Sequence, residues 1–287
     1  VNGVQVNIQR QVFDDQIQLN DCRFALPEGL DTAGIQRRQR LQAELRRLLL
    51  PPTSQQDSMF EEYVILLVGQ TGQPPEEFIT CHAPDLARFI RSQREVFGPQ
   101  EIEETLTSRV RYSGEEVTVV DWEGAVIVSP NDDFQSDIEL LKIGNYQLLR
   151  YRLLDQRVES LLRQLHHNFR AGVRRSNRLS PTRGALSQVV QHRLELMFEF
   201  ERIEQALLLI GDWYTTKLYQ AIHDEFYLDD WKRAVQAKLD NMESIVGIIQ
   251  DNFSLSWSRL LDMVELAGWL ILLIGYFILF FFEISPR

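Results

Sequence analysis

Hydrophobic and polar positions divide this chain into three stretches of different period. From Val1 to about residue 133 the apolar positions alternate or form short runs. Val4, Val6 and Ile8 alternate with polar residues, as do Ile17 and Leu19, the period of half-exposed strands. Tyr63 to Val68 is a continuous apolar run closed by Gly69 and predicts a buried strand. Val117 to Val120 and Ala125 to Val128 flank Asp121-Trp122-Glu123-Gly124 and predict a hairpin. Between these, Thr32 to Leu50 has the spacing of a basic amphipathic helix ended by Pro51-Pro52; a polar loop follows over 51–58, and Pro84 to Phe97 predicts another helix. Pro130-Asn131-Asp132-Asp133 breaks the pattern and sets a domain boundary.

The second stretch is helical. A helix is predicted from about Phe134 to Phe169, where Tyr151, Leu154, Val158, Leu161 and Leu165 keep 3-4 spacing. A loop over Gly172 to Pro181 leads to a second helix, Arg183 to His223, with Ile203, Leu207, Ile210 and Tyr214 on one face. Asp229 or Asp230 caps a third helix before Trp231. There Val235, Leu239, Met242, Val246, Ile249 and Phe253 form an unbroken coiled-coil seam, and its register runs on through Leu260 and Met263. Two partners suit the seam: the two earlier helices of the same chain, or a second copy through residues 229–262.

The third stretch, Leu266 to Phe282, carries no charge. It predicts a single C-terminal transmembrane helix over residues 263–284, with Leu266, Trp269, Leu270, Ile274, Phe277 and Phe281 as the anchoring positions. Seventeen helical residues rise about 25 Å, so the flanks must help to cross roughly 30 Å of hydrocarbon. Glu265 would sit at the interface, and Gly268 and Gly275 share one helix face. A buried core helix is the alternative. The expected fold is therefore α+β: an N-terminal mixed α/β domain over 1–133, a long-helix hairpin or coiled coil over 134–262, and a membrane anchor over 263–284. Size places the body in the cytoplasm, or in matrix or stroma, on a bacterial inner membrane or a thylakoid or other organelle membrane. Membrane lipid is then an expected partner.

Charge changes this picture in one place. Across 287 residues the net charge is −11, which argues against wholesale coating of nucleic acid. Yet Ser160 to Leu194 contains no acidic residue and carries Arg163, Arg170, Arg174, Arg175, Arg178, Arg183 and Arg193. All are Arg, the side chain suited to bidentate phosphate contact. The expected targets are RNA phosphates or anionic lipid headgroups; pairing with the protein's own acidic surface is the alternative. A second cluster, Arg37, Arg38, Arg40, Arg46 and Arg47, is interrupted by Glu44.

Catalytic chemistry is not written in the sequence. Gly69-Gln70-Thr71-Gly72 lacks the spacing and the Lys of a P-loop. Cys81-His82 and distant Cys22 lack metal-ligand spacing, and adjacent His166-His167 point to different helix faces. Glu101, Glu103 and Glu104 suit an exposed helix start, and Asp132-Asp133 a turn. Two cysteines make no disulfide framework and suit a reducing compartment, and Val1 to Asn20 holds no apolar leader core. No catalytic residue, cofactor, metal or small-molecule substrate is expected.

From Phe134 onward the chain resembles the Required for Meiotic Nuclear Division family. The resemblance rests on Ser136-Asp137-Ile138-Glu139, the Ala171-Gly172 break, the run Leu196 to Glu204, Trp231-Lys232-Arg233-Ala234, Lys238 to Ser244, and Glu265 leading into the terminal apolar helix. It departs where Asp262-Met263-Val264 precede Glu265 and Trp269 is displaced from it. The resemblance implies a membrane protein without established enzymatic activity that, in mitochondrial members, supports translation by tethering the ribosome. Three functions are therefore expected to compete: a non-enzymatic scaffold or tether engaging ribosome or RNA through the Arg-rich loop, an oligomeric lipid-organising protein, and an enzyme with a site in residues 1–133.

Overall fold

The computed structural model describes residues 3–13, 17–26, 29–50, 59–112, 116–174, 191, 194–195, 197–198, 201 and 212–283, without the side chains of 165–166, 168–174, 243, 245–261 and 279–283. Its elements group into two compact units. One comprises Val1–Leu154 with Arg202–Arg233, the other Asp155–Glu201 with Ala234–Arg287.

The first unit is built on a four-stranded mixed sheet. Strands β1 (Asn7–Phe13) and β2 (Ile17–Arg23) form a separate antiparallel hairpin, whereas β3 (Val64–Val68), β4 (Arg109–Tyr112), β5 (Glu116–Val120) and β6 (Gly124–Val128) assemble in the order β3-β6-β5-β4. β3 runs parallel to β6; the other pairs are antiparallel. The central strands β5 and β6 are buried almost throughout, which explains why they read as continuous apolar runs.

Alternation along these strands separates two cores. Val117, Val119, Val126 and Val128 cluster with Ile79, Leu86, Ile90 and Leu106. The helical members of that cluster come from α2 (Pro75–Cys81) and α3 (Ala83–Ile90), and Ile102 of α4 (Pro99–Thr105) packs against it. Thr118, one residue out of phase, bonds instead to Asp137 of α5 (Gln135–Arg174), which is bonded in turn by Tyr214 of α6 (Trp213–Glu225).

The hairpin over 117–128 forms as the sequence predicts, with Val120 opposite Ala125. Gly124, however, belongs to the strand. It is needed because a Cβ there would lie 2.8 Å from the Val64 carbonyl of the neighbouring strand. α1 (Thr32–Leu49) begins at Asp31, whose side chain accepts from the Gly34 amide at 2.8 Å. The helix predicted over 84–97 is shorter: α3 stops at Ile90, and Ser92 follows in a left-handed conformation, φ 53°. The Glu101 run does start a helix, α4, where the Glu101 carboxylate accepts from the Gly98 amide at 2.8 Å. β4 and α2 were too short to show a period.

Two helices are long. α5 spans 40 residues, and α7 (Leu228–Glu283) spans 56. Gly144 of α5 allows close packing on α6, since a Cβ there would sit 2.3 Å from Ile222 Cγ2. We expect Gly144→Ala to lower stability by about 1–2 kcal/mol, the crowding outweighing the gain in helix propensity. Denaturant titration of the purified variant would measure it.

The structure corrects the expected anchor. Among the described residues no helix is long and apolar enough to cross a membrane. The expected span falls on α7. Leu266, Trp269, Leu270, Ile274 and Phe277 are exposed there, and the side chain of Phe281 lies outside the described residues. The transmembrane part of the expected fold class, and the tail-anchored integral-membrane location, are therefore set aside; a mixed α/β fold with two sheets remains.

Candidate functional site

Two groups of side chains carry chemistry, one in each unit. In the first unit the turn between β5 and β6 gathers charges from distant parts of the chain. Asp121 is 3% exposed. Arg91, just beyond α3, donates through Nη2 to its Oδ1 at 3.0 Å, and the Glu123 amide donates to its Oδ2 at 3.2 Å. Tyr63 OH donates to its carbonyl at 2.9 Å. Glu225, at the end of α6, accepts from Ser108 and feels the charge of Asp121. Burial, and then that charge, push both Glu123 and Glu225 above the ordinary carboxylate value. Trp122 lies beside them, and the Arg152 guanidinium sits 5.8 Å from its ring and 5.3 Å from that of Trp231.

A raised carboxylate value means that the folded state holds the proton more tightly than the unfolded chain. Its stabilising contribution is complete below 4.5 and is lost as pH rises through the folded value. Glu225→Gln should thus raise the melting midpoint at pH 7 by on the order of 1–2 °C, an advantage that fades toward pH 4. Thermal melts across that range would show it. Asp21 has the opposite sign: burial pushes it up, but hydrogen bonds from Arg23 and Lys142 outweigh burial and hold it below 3.8.

A neighbouring network fixes α5 to the sheet. Asp137 is 4% exposed and accepts from Thr118 Oγ1, from Tyr214 OH at 2.7 Å and from Ser136 Oγ at 3.2 Å. Burial next to this carboxylate drives the Tyr214 hydroxyl far above its ordinary value, so it remains a donor.

The second group lies on α5 within the other unit. Positions 163, 170 and 174 are separated by seven and four residues, so all three arginines fall within about 40° of one helix face and rise about 16 Å along it. His167, on the same face, is exposed. The Arg163 side chain is 70% exposed, and its acidic neighbour, Glu159, stands at 3.9 Å while also facing Lys238 at 3.8 Å. Arg175, Arg178, Arg183 and Arg193 lie outside the described residues.

The other sequence candidates separate. In the α1 cluster Arg38 is buried, donating to the Phe89 carbonyl at 2.7 Å and to Ser92 Oγ at 2.6 Å, with its guanidinium 4.1 Å from the Phe89 ring. Arg46 pairs with Glu62, and Arg47 with Glu44 at 2.6 Å. Arg37 and Arg40 line an open groove of about 390 Å³ with Val4, Ala33, Gln36 and Leu41. Of the seam, Val235, Leu239 and Met242 are buried, and Lys238 pairs with Asp155 at 2.6 Å; the side chains of Val246, Ile249 and Phe253 lie outside the described residues. Among the described residues no His, Cys, Asp or Glu group has the arrangement of a metal site. Sequence reasoning missed the Arg91–Asp121–Glu225 cluster because its members are far apart in the chain; only the Asp121 turn gave a local signal.

Comparison with known proteins finds one family model and one relative. Residues 7–135 match the family described as "Uncharacterized protein MJ0711, N-terminal domain". The protein "Uncharacterized protein MJ0711" of Methanocaldococcus jannaschii is 24% identical over 208 residues, which is 72% of this chain and 62% of that protein, so the chain spans under two thirds of its relative's length. No solved structure matches. These similarities overturn the resemblance to the Required for Meiotic Nuclear Division family: the family model that matches, over residues 7–135, is a different, archaeal one. The ribosome-tethering and organellar implications drawn from that resemblance lose their basis.

Proposed function

We propose that this chain is a non-catalytic scaffold that holds single-stranded polynucleotide, RNA first, through the basic face of α5 and the arginines that follow it. The observation that carries this reading is the alignment of Arg163, Arg170 and Arg174 on one helix face, in a stretch without acidic residues. Three arginine positions spread over about 16 Å of helix match the reach needed to follow successive phosphates of a flexible strand. The long Glu159 contact does not neutralise Arg163, because both groups are half exposed or more and screened by water. Charges in the α/β unit are engaged with one another, as Asp121 is with Arg91 and Glu76 with Arg109 and Arg111, which favours the helix over that unit as the binding surface.

Fluorescence anisotropy of a labelled 20-nucleotide RNA across 50–300 mM KCl tests the reading. Three phosphate contacts give a slope of log K against log salt near about −2, and all six arginines from 163 to 183 about −4. Binding without salt dependence, or retention on anionic vesicles with none on RNA, would overturn it.

A further inference from the structure

α7 carries a second surface that the RNA reading does not use. Twelve large apolar side chains between Met263 and Ile278 are 49–73% exposed. Nine of them, all but Trp269, Leu272 and Tyr276, share one broad face; at roughly 60–120 Å² for each aliphatic side chain and 150–250 Å² for Phe277, their exposed part comes to roughly 600 Å². That is the upper end of an ordinary monomer's largest apolar patch and close to the ~600 Å² each partner contributes at the low end of stable interfaces.

The identity of the occupant follows from the register. Val235, Leu239 and Met242 are the buried start of the heptad seam. Continued in steps of four and three, that same series reaches Met263, Ala267, Leu270, Ile274 and Phe277. The flanking positions of these heptads are Val264, Leu266, Ile271, Leu273 and Ile278, apolar without exception. The outer positions are different in kind: Asp262, Glu265, Gly268 and Gly275 all fall there, with Trp269, Leu272 and Tyr276. A seam closed by a partner leaves the opposite face to water, which is where both carboxylates, Asp262 and Glu265, fall. The segment with the matching 3.5-residue period is the same segment of another copy. Because the flanking positions are apolar rather than charged, the apolar stripe is wider than a two-stranded seam can cover.

We propose that residues 263–278 of α7 assemble three or more copies of this chain into a parallel-register helical bundle, with Leu270, Ile274 and Phe277 at its centre and Glu265 facing water. The proposal is independent of RNA binding, since Arg163, Arg170 and Arg174 take no part in it.

Light scattering coupled to size exclusion, on the full chain in detergent-free buffer, tests the proposal. The wild-type chain of 33.6 kDa should give a discrete species of at least ~100 kDa. Leu270→Glu with Ile274→Glu should reduce it to the monomer mass, whereas Tyr276→Glu at an outer position should leave it assembled. Circular-dichroism melts should show the α/β transition unchanged in all three, which separates lost assembly from lost folding. A monomeric wild-type chain, aggregation indifferent to which position is charged, or flotation of the monomer with phospholipid vesicles would each overturn the proposal.

Discussion

Replacing Arg163, Arg170 and Arg174 together by Glu is expected to weaken single-stranded RNA binding about 100-fold at 150 mM salt. Three lost phosphate contacts remove a salt slope of about 2, worth roughly 50-fold between 150 mM and 1 M salt, and the new carboxylates add repulsion. The slope itself should flatten by at least that amount, a change that simple misfolding would not mimic if the melting transition is preserved. Conservative replacement by Lys should keep the charge and most of the slope while losing the bidentate geometry. The same three positions changed to Ala should fall between. A triple Glu variant that binds RNA as tightly as the wild type, with the same slope, would remove α5 from the binding surface.

The second large effect concerns stability. Asp137→Ala should cost about 3–5 kcal/mol, because it leaves the hydroxyls of Thr118 and Tyr214 buried without their acceptor. The melting midpoint should fall by on the order of 10 °C. Tyr214→Phe removes one donor and should cost less, and the double variant should cost less than the sum of the two, since the second change no longer strands a partner. If Asp137→Ala melts with the wild type, the network does not hold α5 to the sheet. Binding of RNA by the folded fraction should be unaffected, which keeps the two predictions separate.

Much of the α/β unit was legible because β5 and β6 are central, their turn is local and β3 is apolar throughout. Val117 to Val128 announced a hairpin, and Tyr63 to Val68 a strand, since each is apolar over the length of an element. β4 escaped because four residues, Arg-Val-Arg-Tyr, hold too few alternations to define a period. The span did not hold: among the described residues no helix is long and apolar enough to cross a membrane. Asp137 was noticed as part of an apparent family signature, and its structural position offers a plainer account, a carboxylate bonded by three hydroxyls. The Arg91–Asp121–Glu225 cluster lay beyond sequence reasoning because nothing local links residues that only the sheet's turn brings together. The arginine face was half legible: the absence of acid was visible, but the alignment of 163, 170 and 174 needed the helix to run unbroken to Arg174.

The place of β3 in the sheet has a consequence for how the protein is made. Its five uncharged residues, Val-Ile-Leu-Leu-Val, form one edge, and Val64 finds its partner only at Gly124. During synthesis β3 therefore leaves the ribosome well before the strand that will pair with it. For that interval it is a short, β-prone, uncharged segment with free backbone groups, the kind that stacks on its neighbours in another nascent chain. The opposite edge, with Arg109 and Arg111, repels such stacking. High-level expression should thus be limited by chaperone capacity during this window rather than by the stability of the finished fold.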